Sequence, residues 1–429
     1  MRFFTLSMMS LLLAACAAAP VATQSVALTA LPTASPTPPP PEATPLPSVE
    51  SQPDAPLTLV IWWPEPLNPV NDSEANSQLQ AQIDAFEAAN PDVRVNWRRK
   101  LVSEVGGIMS GLRTASAAAP GALPDLTLLR RDDLLLAAQL GLLQALQGRV
   151  SSAILGDLYP APLRLGEVDD TLFGLTYMLE VQHAIYRPPL ALNGWSYADV
   201  LARDVPFVFP AARPNGVNDV FLAQYLAALR PDEAAQIGSG TLPLNENALR
   251  STLAFYEQAR VNNIITPAVL DMSAPIDFVA YLGESVVIVP ASTYLTLTGH
   301  GEDLLYAPIP NAAGANITML DGWMWVLVTS SADRQQRALD FITWMMDAER
   351  HAAFSAAVHR VPAQRSTLRL WHDDAYGEFI SALVENAFLP LPESAATSAR
   401  VLQNALSAVL LGQRTADEAT QDVLTQLAG

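Results

Sequence analysis

Residues 57–97 read LTLVIWWPEPLNPVNDSEANSQLQAQIDAFEAANPDVRVNW. Leu57 to Trp62 is a continuous apolar run of strand length, the pattern of a strand buried on both faces. From Ser77 to Ala89 the apolar residues Leu79, Ile83 and Phe86 fall on one helical face. Asn90-Pro91 stops that helix, because proline disfavours helical backbone in the residue before it. Val93, Val95 and Trp97 then alternate with Arg94, Asn96 and Arg98, which predicts a half-buried strand. Strand, crossover helix and strand in this order imply a parallel pair with the helix packed on its face.

The alternation continues downstream. A helix is expected from about Glu104 to Ala118, and Leu126 to Leu129 is another short buried strand. Asp132 and Asp133 can cap a helix running to Gln147, with Gly148 closing it. Ile185-Tyr186, Pro206 to Phe209, Val286 to Val289 (VVIV) and Trp323 to Val328 (WMWVLV) read as strands. Val220 to Leu229, Asn247 to Val261 and Asp333 to Met346 read as helices. A mostly parallel sheet covered by helices follows, and ligands of such sheets sit at the carboxyl ends of the strands. That directs attention to the loops Trp63 to Asn68 and Arg130 to Asp133. About 370 residues remain from Leu57 onward, enough for two or three domains.

Composition excludes several classes. The formal net charge is −19, the wrong sign for a surface that grips phosphates, so no nucleic acid is expected. Half of the chain is apolar, yet no segment after the N-terminus has some 18 uninterrupted apolar residues; Leu134 to Leu146 is broken by Gln139, Gly141 and Gln144. Lys100 is the only lysine, and no Gly-Lys-Ser/Thr phosphate loop is present. The five histidines show no metal spacing, and Gly-X-Ser-X-Gly is absent. No cofactor and no metal are expected. The acids are numerous, but none stands out as a glycosidase pair.

The N-terminus carries an address. Arg2 precedes an apolar run, Phe3 to Leu13, too short to span a bilayer and suited to the core of a signal peptide. Leu13-Ala14-Ala15-Cys16 resembles the lipobox of bacterial lipoproteins, which implies cleavage before Cys16 and lipid attachment to it. Cys16 is the only cysteine, so intrachain disulfides, thiolate zinc sites and Cys-X-X-Cys centres are excluded. Eleven of the 34 prolines lie between Pro20 and Pro56. Such a segment is expected to be extended, with a reach of about 100 Å if fully stretched. Residues 1–15 are therefore read as signal peptide and 16–56 as a proline-rich stalk.

From Leu57 onward the chain resembles the extracellular solute-binding proteins of ABC importers, family 1, the group that includes maltose- and other sugar-binding receptors. Phe86-Glu87-Ala88-Ala89-Asn90-Pro91 with Val93-Arg94-Val95 is similar to the recurrent F-E-x-x-N-P-x-I-x-V stretch. Pro124-Asp125-Leu126 resembles a strand entry of that family. Gly174-Leu175-Thr176-Tyr177-Met178-Leu179-Glu180 is similar to its interlobe crossover, with Thr176 in place of a proline. Gly194-Trp195-Ser196-Tyr197-Ala198-Asp199-Val200-Leu201, Gly322-Trp323, Ala338 to Trp344 and Val361-Pro362-Ala363 match later stretches. The resemblance implies a two-lobed periplasmic-binding-protein-like α/β fold of type II, each lobe a mostly parallel sheet flanked by helices. Crossovers are expected near Thr176, Pro290 and Asp347, giving 57–175 plus 291–347 as the N-terminal lobe and 176–290 plus 348–429 as the C-terminal lobe. Hinge closure would trap a small solute and present it to a permease.

A sugar or polyol needs flat rings for its C–H faces and carboxylates for its hydroxyl donors. The candidates are Trp63 and Glu65 after the first strand, Arg131 and Asp132 after the third, Tyr177 and Glu180 at the first crossover, and Trp323 and Trp325 beside Gly322. Each has a plainer reading. Trp62 belongs to the core, Trp63 stands between cleft and core, Asp132 serves equally as a helix cap, Glu65 and Arg131 can simply face solvent, and Trp325 reads as a buried strand residue. The expected protein is not an enzyme but a monomeric receptor, lipid-anchored on the extracytoplasmic face of a bacterial membrane, with permease subunits as partners. A sensor or scaffold lipoprotein of the same fold is the alternative, and a glycoside-acting enzyme the next.

Overall fold

A computed structural model describes residues 56–429, apart from 104–105, 193–194, 214–215, 235–241, 274–279, 372–373, 392–394 and 428–429. The signal peptide, Cys16 and the stalk lie outside the described residues. The strands are β1 (Leu57–Pro64), β2 (Val93–Lys100), β3 (Leu126–Leu129), β4 (Glu167–Val168), β5 (Thr171–Leu172), β6 (Gly174–Tyr186), β7 (Phe207–Val208), β8 (Val286–Pro290), β9 (Leu305–Ala307), β10 (Thr318–Leu327), β11 (Val361–Pro362) and β12 (Ala387–Phe388).

The principal sheet runs β2-β1-β3-β10-β6-β8-β7, with β9 and β11 paired to β6 and β12 to β10. β1 is parallel to both β2 and β3, as the opening β-α-β pattern requires. β10 is antiparallel to β3 and to β6, β6 is antiparallel to β8, and β7 is parallel to β8. Two long antiparallel strands, β6 and β10, therefore join two smaller parallel groups.

Local sequence explains the elements. The helix Ser73–Ala89 begins four residues before the expected Ser77, because the Asp72 side chain accepts the Ala75 N–H at 2.9 Å and caps it. Val93 is buried while Arg94 and Asn96 stay partly or fully exposed, as expected of an edge strand. Pro124-Asp125 is a junction. Asp125, 2 % exposed, accepts from Val60 N–H at 2.7 Å and from Arg334 Nε at 2.6 Å, while its backbone bonds Val60 and Val328. One buried carboxylate thus ties β1, the entry to β3, the exit of β10 and the helix Ala332–Met345 together, with its hydrogen-bonding capacity used.

Three expectations change. The helix after β3 is Arg131–Gln139 and does not reach Gln147; Gly141, in the left-handed region at φ +67°, turns the chain away. Asp132 and Asp133 lie inside its first turn, and Arg130 holds the N-cap position. The chain also changes ends of the sheet later than Pro290 and Asp347. β9 pairs with β6 beside β8, so residues 291–307 stay with the β7–β8 end, and the return runs along β10. The helix Ala348–Ala357 packs on the helix Ser73–Ala89, where Gln82 Nε2 donates to Arg350 O at 2.7 Å, and so stays with the β1–β3 end. The helices Ala396–Leu410 and Ala416–Leu427 pack on Glu246–Val261 at the other end. Among the described residues no helix is long and apolar enough to cross a membrane.

Candidate functional site

β6 is buried along its length except at Glu180 and Gln182, which are half-exposed. β10 is buried except at Asp321. The pairing register sets Asp321 directly opposite Glu180. Two carboxylates thus face each other on the only uncovered patch of the strands that join the two ends of the sheet. Like charges in that relation repel unless compensated.

The compensation comes from both sides. Arg130, the N-cap residue after β3, forms an ion pair with Asp321 and also feels Glu180 and Asp132. Asp321 Oδ1 further accepts from Gly322 N–H at 2.7 Å. Glu180 is held by Ser292, whose N–H and hydroxyl donate at 3.2 and 2.8 Å from the start of the helix Ala291–Gly299. The positive end of that helix faces the carboxylate. Each carboxylate has about four acceptor positions, so both keep unused capacity.

Gln182 extends the patch toward β8. Its Nε2 donates to Asp219 Oδ2 at 3.4 Å, while its Oε1 is buried with no hydrogen-bond partner. Asp219 opens the helix Asp219–Ala227, capped by Asn218. Burial pushes the Asp219 carboxyl up; Asp321 and Asp132 push the same way, and Arg213 and Arg130 oppose. Those neighbours bring the walls from both ends of the sheet within one electrostatic field. A cavity of about 110 Å³ lies here, lined by Gln182, Arg213, Asn218, Asp219 and Pro290 among others. It has room for a few waters or one small substituent of a ligand. A wider, open groove of about 450 Å³ runs past Asp157 and Ser366. Its carboxylate is already engaged, since Asp157 accepts from Ser366 and Gln364.

The residues nominated from sequence divide sharply. Trp63 and Trp325 are fully enclosed, with ring centroids 5.3 Å apart, and Phe354 lies 5.6 Å from Trp63. Tyr177 is fully enclosed too, stacked on His351 at 4.3 Å and 5.4 Å from Trp325. β1 runs on through Trp63 to Pro64, so this tryptophan belongs to the strand and not to the following loop. These three rings pack the core and present no face to a solute. Trp323, 7 % exposed, borders Asp321. Arg131 is spent on the backbone, donating to the carbonyls of Leu165, at 2.7 Å, and Glu167. Glu65 is half-buried in a short helical turn, and Asp132 is exposed beside Arg130. Glu180 alone stands at the centre of the patch. Arg130, Gln182, Asp219 and Asp321, which share this patch, are not among the residues nominated from sequence. Asp321 is the single charge in β10, and Glu180 and Gln182 are spaced to share a side of β6. That signal was available in the sequence.

Among the described residues no group of three or more His, Cys, Asp or Glu side chains is arranged to hold a metal ion. The patch supplies hydrogen-bond acceptors flanked by arginine, on strands that connect two bodies of structure. That is the chemistry of polar-solute binding.

The family model described as bacterial extracellular solute-binding protein matches residues 81–375. No match was found among curated proteins. Solved structures share the fold at low identity. The cyclic alpha-maltosyl-1,6-maltose binding protein of Arthrobacter globiformis is 15 % identical with a TM-score of 0.68, over 86 % of this chain and 97 % of that one. The sugar-binding protein MalE of Xanthomonas citri is 17 % identical with a TM-score of 0.66, over 86 % and 96 %. A family 1 extracellular solute-binding protein of Bifidobacterium longum subsp. infantis is 15 % identical with a TM-score of 0.64, over 87 % and 99 %. With the matched segment spanning β6, β10 and the acidic patch between them, the chain belongs to the bacterial extracellular solute-binding proteins, the receptors of ABC importers.

Proposed function

We propose that this protein captures a small carbohydrate or polyol outside the cytoplasm and delivers it to an ABC permease. The observation that carries the reading is the Glu180–Asp321 pair, half-exposed on otherwise buried connecting strands, with Asp219 and Gln182 beside it. Carboxylates accept two hydroxyl donors at once, and Arg130 donates in return, which suits vicinal hydroxyls. Structures that share the fold include a maltose-bound protein and a cyclic alpha-maltosyl-1,6-maltose binding protein, which supports a carbohydrate class. Closure of the two ends of the sheet about β6 and β10 would enclose the solute. The Leu13-Ala14-Ala15-Cys16 sequence supports a lipid on Cys16, and the proline-rich segment after it supports a tether between membrane and receptor.

The test is a thermal-shift screen of the purified protein against sugars, polyols, sugar phosphates, amino acids and peptides, followed by calorimetry on the hits. Stabilisation by a sugar or polyol at one-to-one stoichiometry, without turnover, is expected. Stabilisation by peptides or amino acids alone would overturn the carbohydrate assignment and leave the receptor fold standing.

A further inference from the structure

The uncovered patch is unbalanced in a specific way. Asp321 has a cation in contact, Arg130. Among the described residues Glu180 and Asp219 have no cation in contact: the first is held by the neutral Ser292, the second by the neutral Gln182 at 3.4 Å. Arg213 acts on Asp219 through space from the exposed rim. Gln182 has committed its amide donor and keeps a buried oxygen without a partner. The unused valences of Glu180, Asp219 and Gln182 are therefore acceptors. A neutral saccharide is usually gripped through ring faces, and here Trp63, Tyr177 and Trp325 are fully buried and Trp323 nearly so. Arg130 is paired with Asp321, so the Glu180, Asp219 and Gln182 side of the patch offers more acceptors than donors.

Resting on the carbohydrate reading above, we propose that the solute carries a protonated amine beside its hydroxyls, an aminated sugar or aminated polyol, with the ammonium at the Glu180, Asp219 and Gln182 side of the patch. An ammonium brings three donors and no acceptor, which matches two carboxylates and one amide oxygen. It also relieves the repulsion between Glu180 and Asp321 set by their register. The cavity of about 110 Å³ beside Asp219 takes a group of that size.

The test uses three sets of probes: glucose, galactose and mannose, each with its 2-amino-2-deoxy form and the N-acetylated form of that amine. Acetylation keeps the substituent and removes the charge. Calorimetry on the purified protein is expected to show at least one amine binding tenfold or more tighter than both partners in its set. That advantage shrinks as salt screens the charges, and it is lost in Asp219→Asn and in Glu180→Gln, with the melting temperatures confirming that both variants fold. A neutral or acetylated member binding as tightly as its amine overturns this inference and leaves the carbohydrate reading intact. No amine bound, while the screen above returns a sugar or polyol, overturns this inference as well and leaves the carbohydrate reading intact.

Discussion

On β10, Trp325 and Asp321 are four residues apart, and strand alternation sets them on one side of the strand. Trp325 is fully buried among Trp63, Tyr177 and Phe341; Asp321 keeps 28 % of its side chain exposed and meets Arg130 and Glu180. The covering elements differ. The helices Ala332–Met345 and Ala348–Ala357 supply Phe341 and Phe354 to the aromatic end, while the acidic end meets only helix starts. One strand therefore serves packing at one end and binding at the other. Residue type alone does not say which: the tryptophans that suited a sugar became core, and the plain aspartate beside them became the candidate ligand.

Substitution at the packed end should cost stability first. Trp325→Ala removes a ring packed on three aromatic partners and is expected to cost about 3–5 kcal/mol, read as a lower denaturation midpoint. A loss under about 1 kcal/mol would deny that this end is core. Trp63→Ala belongs with it, and its effect on binding should follow the loss of fold.

Acid should act next, through two buried histidines, His351 at the packed end and His183 beyond the acidic patch on β6. Burial is the main cause that holds His183 and His351 down at about 4, below the ordinary 6.5 of imidazole. The fold favours their neutral forms, so the stability they give is complete above pH 6.5 and is lost as pH falls toward 4. Melting temperature followed over that range should drop, and His351→Gln, which cannot charge, should flatten part of the drop. An unchanged slope would put the acid sensitivity elsewhere.

Between the two ends sits Gly322, where an added Cβ would meet the Met178 carbonyl oxygen across the strand pair. Gly322→Ala is expected to cost about 1–3 kcal/mol by overpacking and to weaken binding as well, because it disturbs the register that pairs Asp321 with Glu180. Unchanged stability and binding together would show that the register is not held there. The smallest stability effect belongs to the acidic end. Asp321→Asn loses a partly exposed ion pair but eases the repulsion with Glu180, so stability should stay within about 1 kcal/mol while affinity falls.

Much of the fold was legible because it rests on short-range pattern. The run 57–97 announces strand, helix and strand by periodicity, and Asn90-Pro91 marks the break. The helix after β3 was read too long because Leu142, Leu143 and Leu146 continue the apolar pattern past Gly141, and only backbone conformation shows the turn. The placing of residues 291–307 has a related cause: it is decided by the pairing of β9 with β6, a contact more than 100 residues apart in sequence that no short-range pattern carries. The site was half legible. Glu180 shows as an acid in an apolar run, but Trp63, Tyr177 and Trp325 were nominated by chemistry without knowledge of what covers them. Asp219 joins Gln182 only through tertiary folding.

The claim that the acidic end binds solute is tested most directly by calorimetry on Glu180→Gln with the tightest solute found in the screen, beside a denaturation curve of the same variant. The account predicts affinity at least tenfold weaker with the denaturation midpoint almost unmoved. Affinity equal to that of the unaltered protein would contradict it and remove Glu180 from the site.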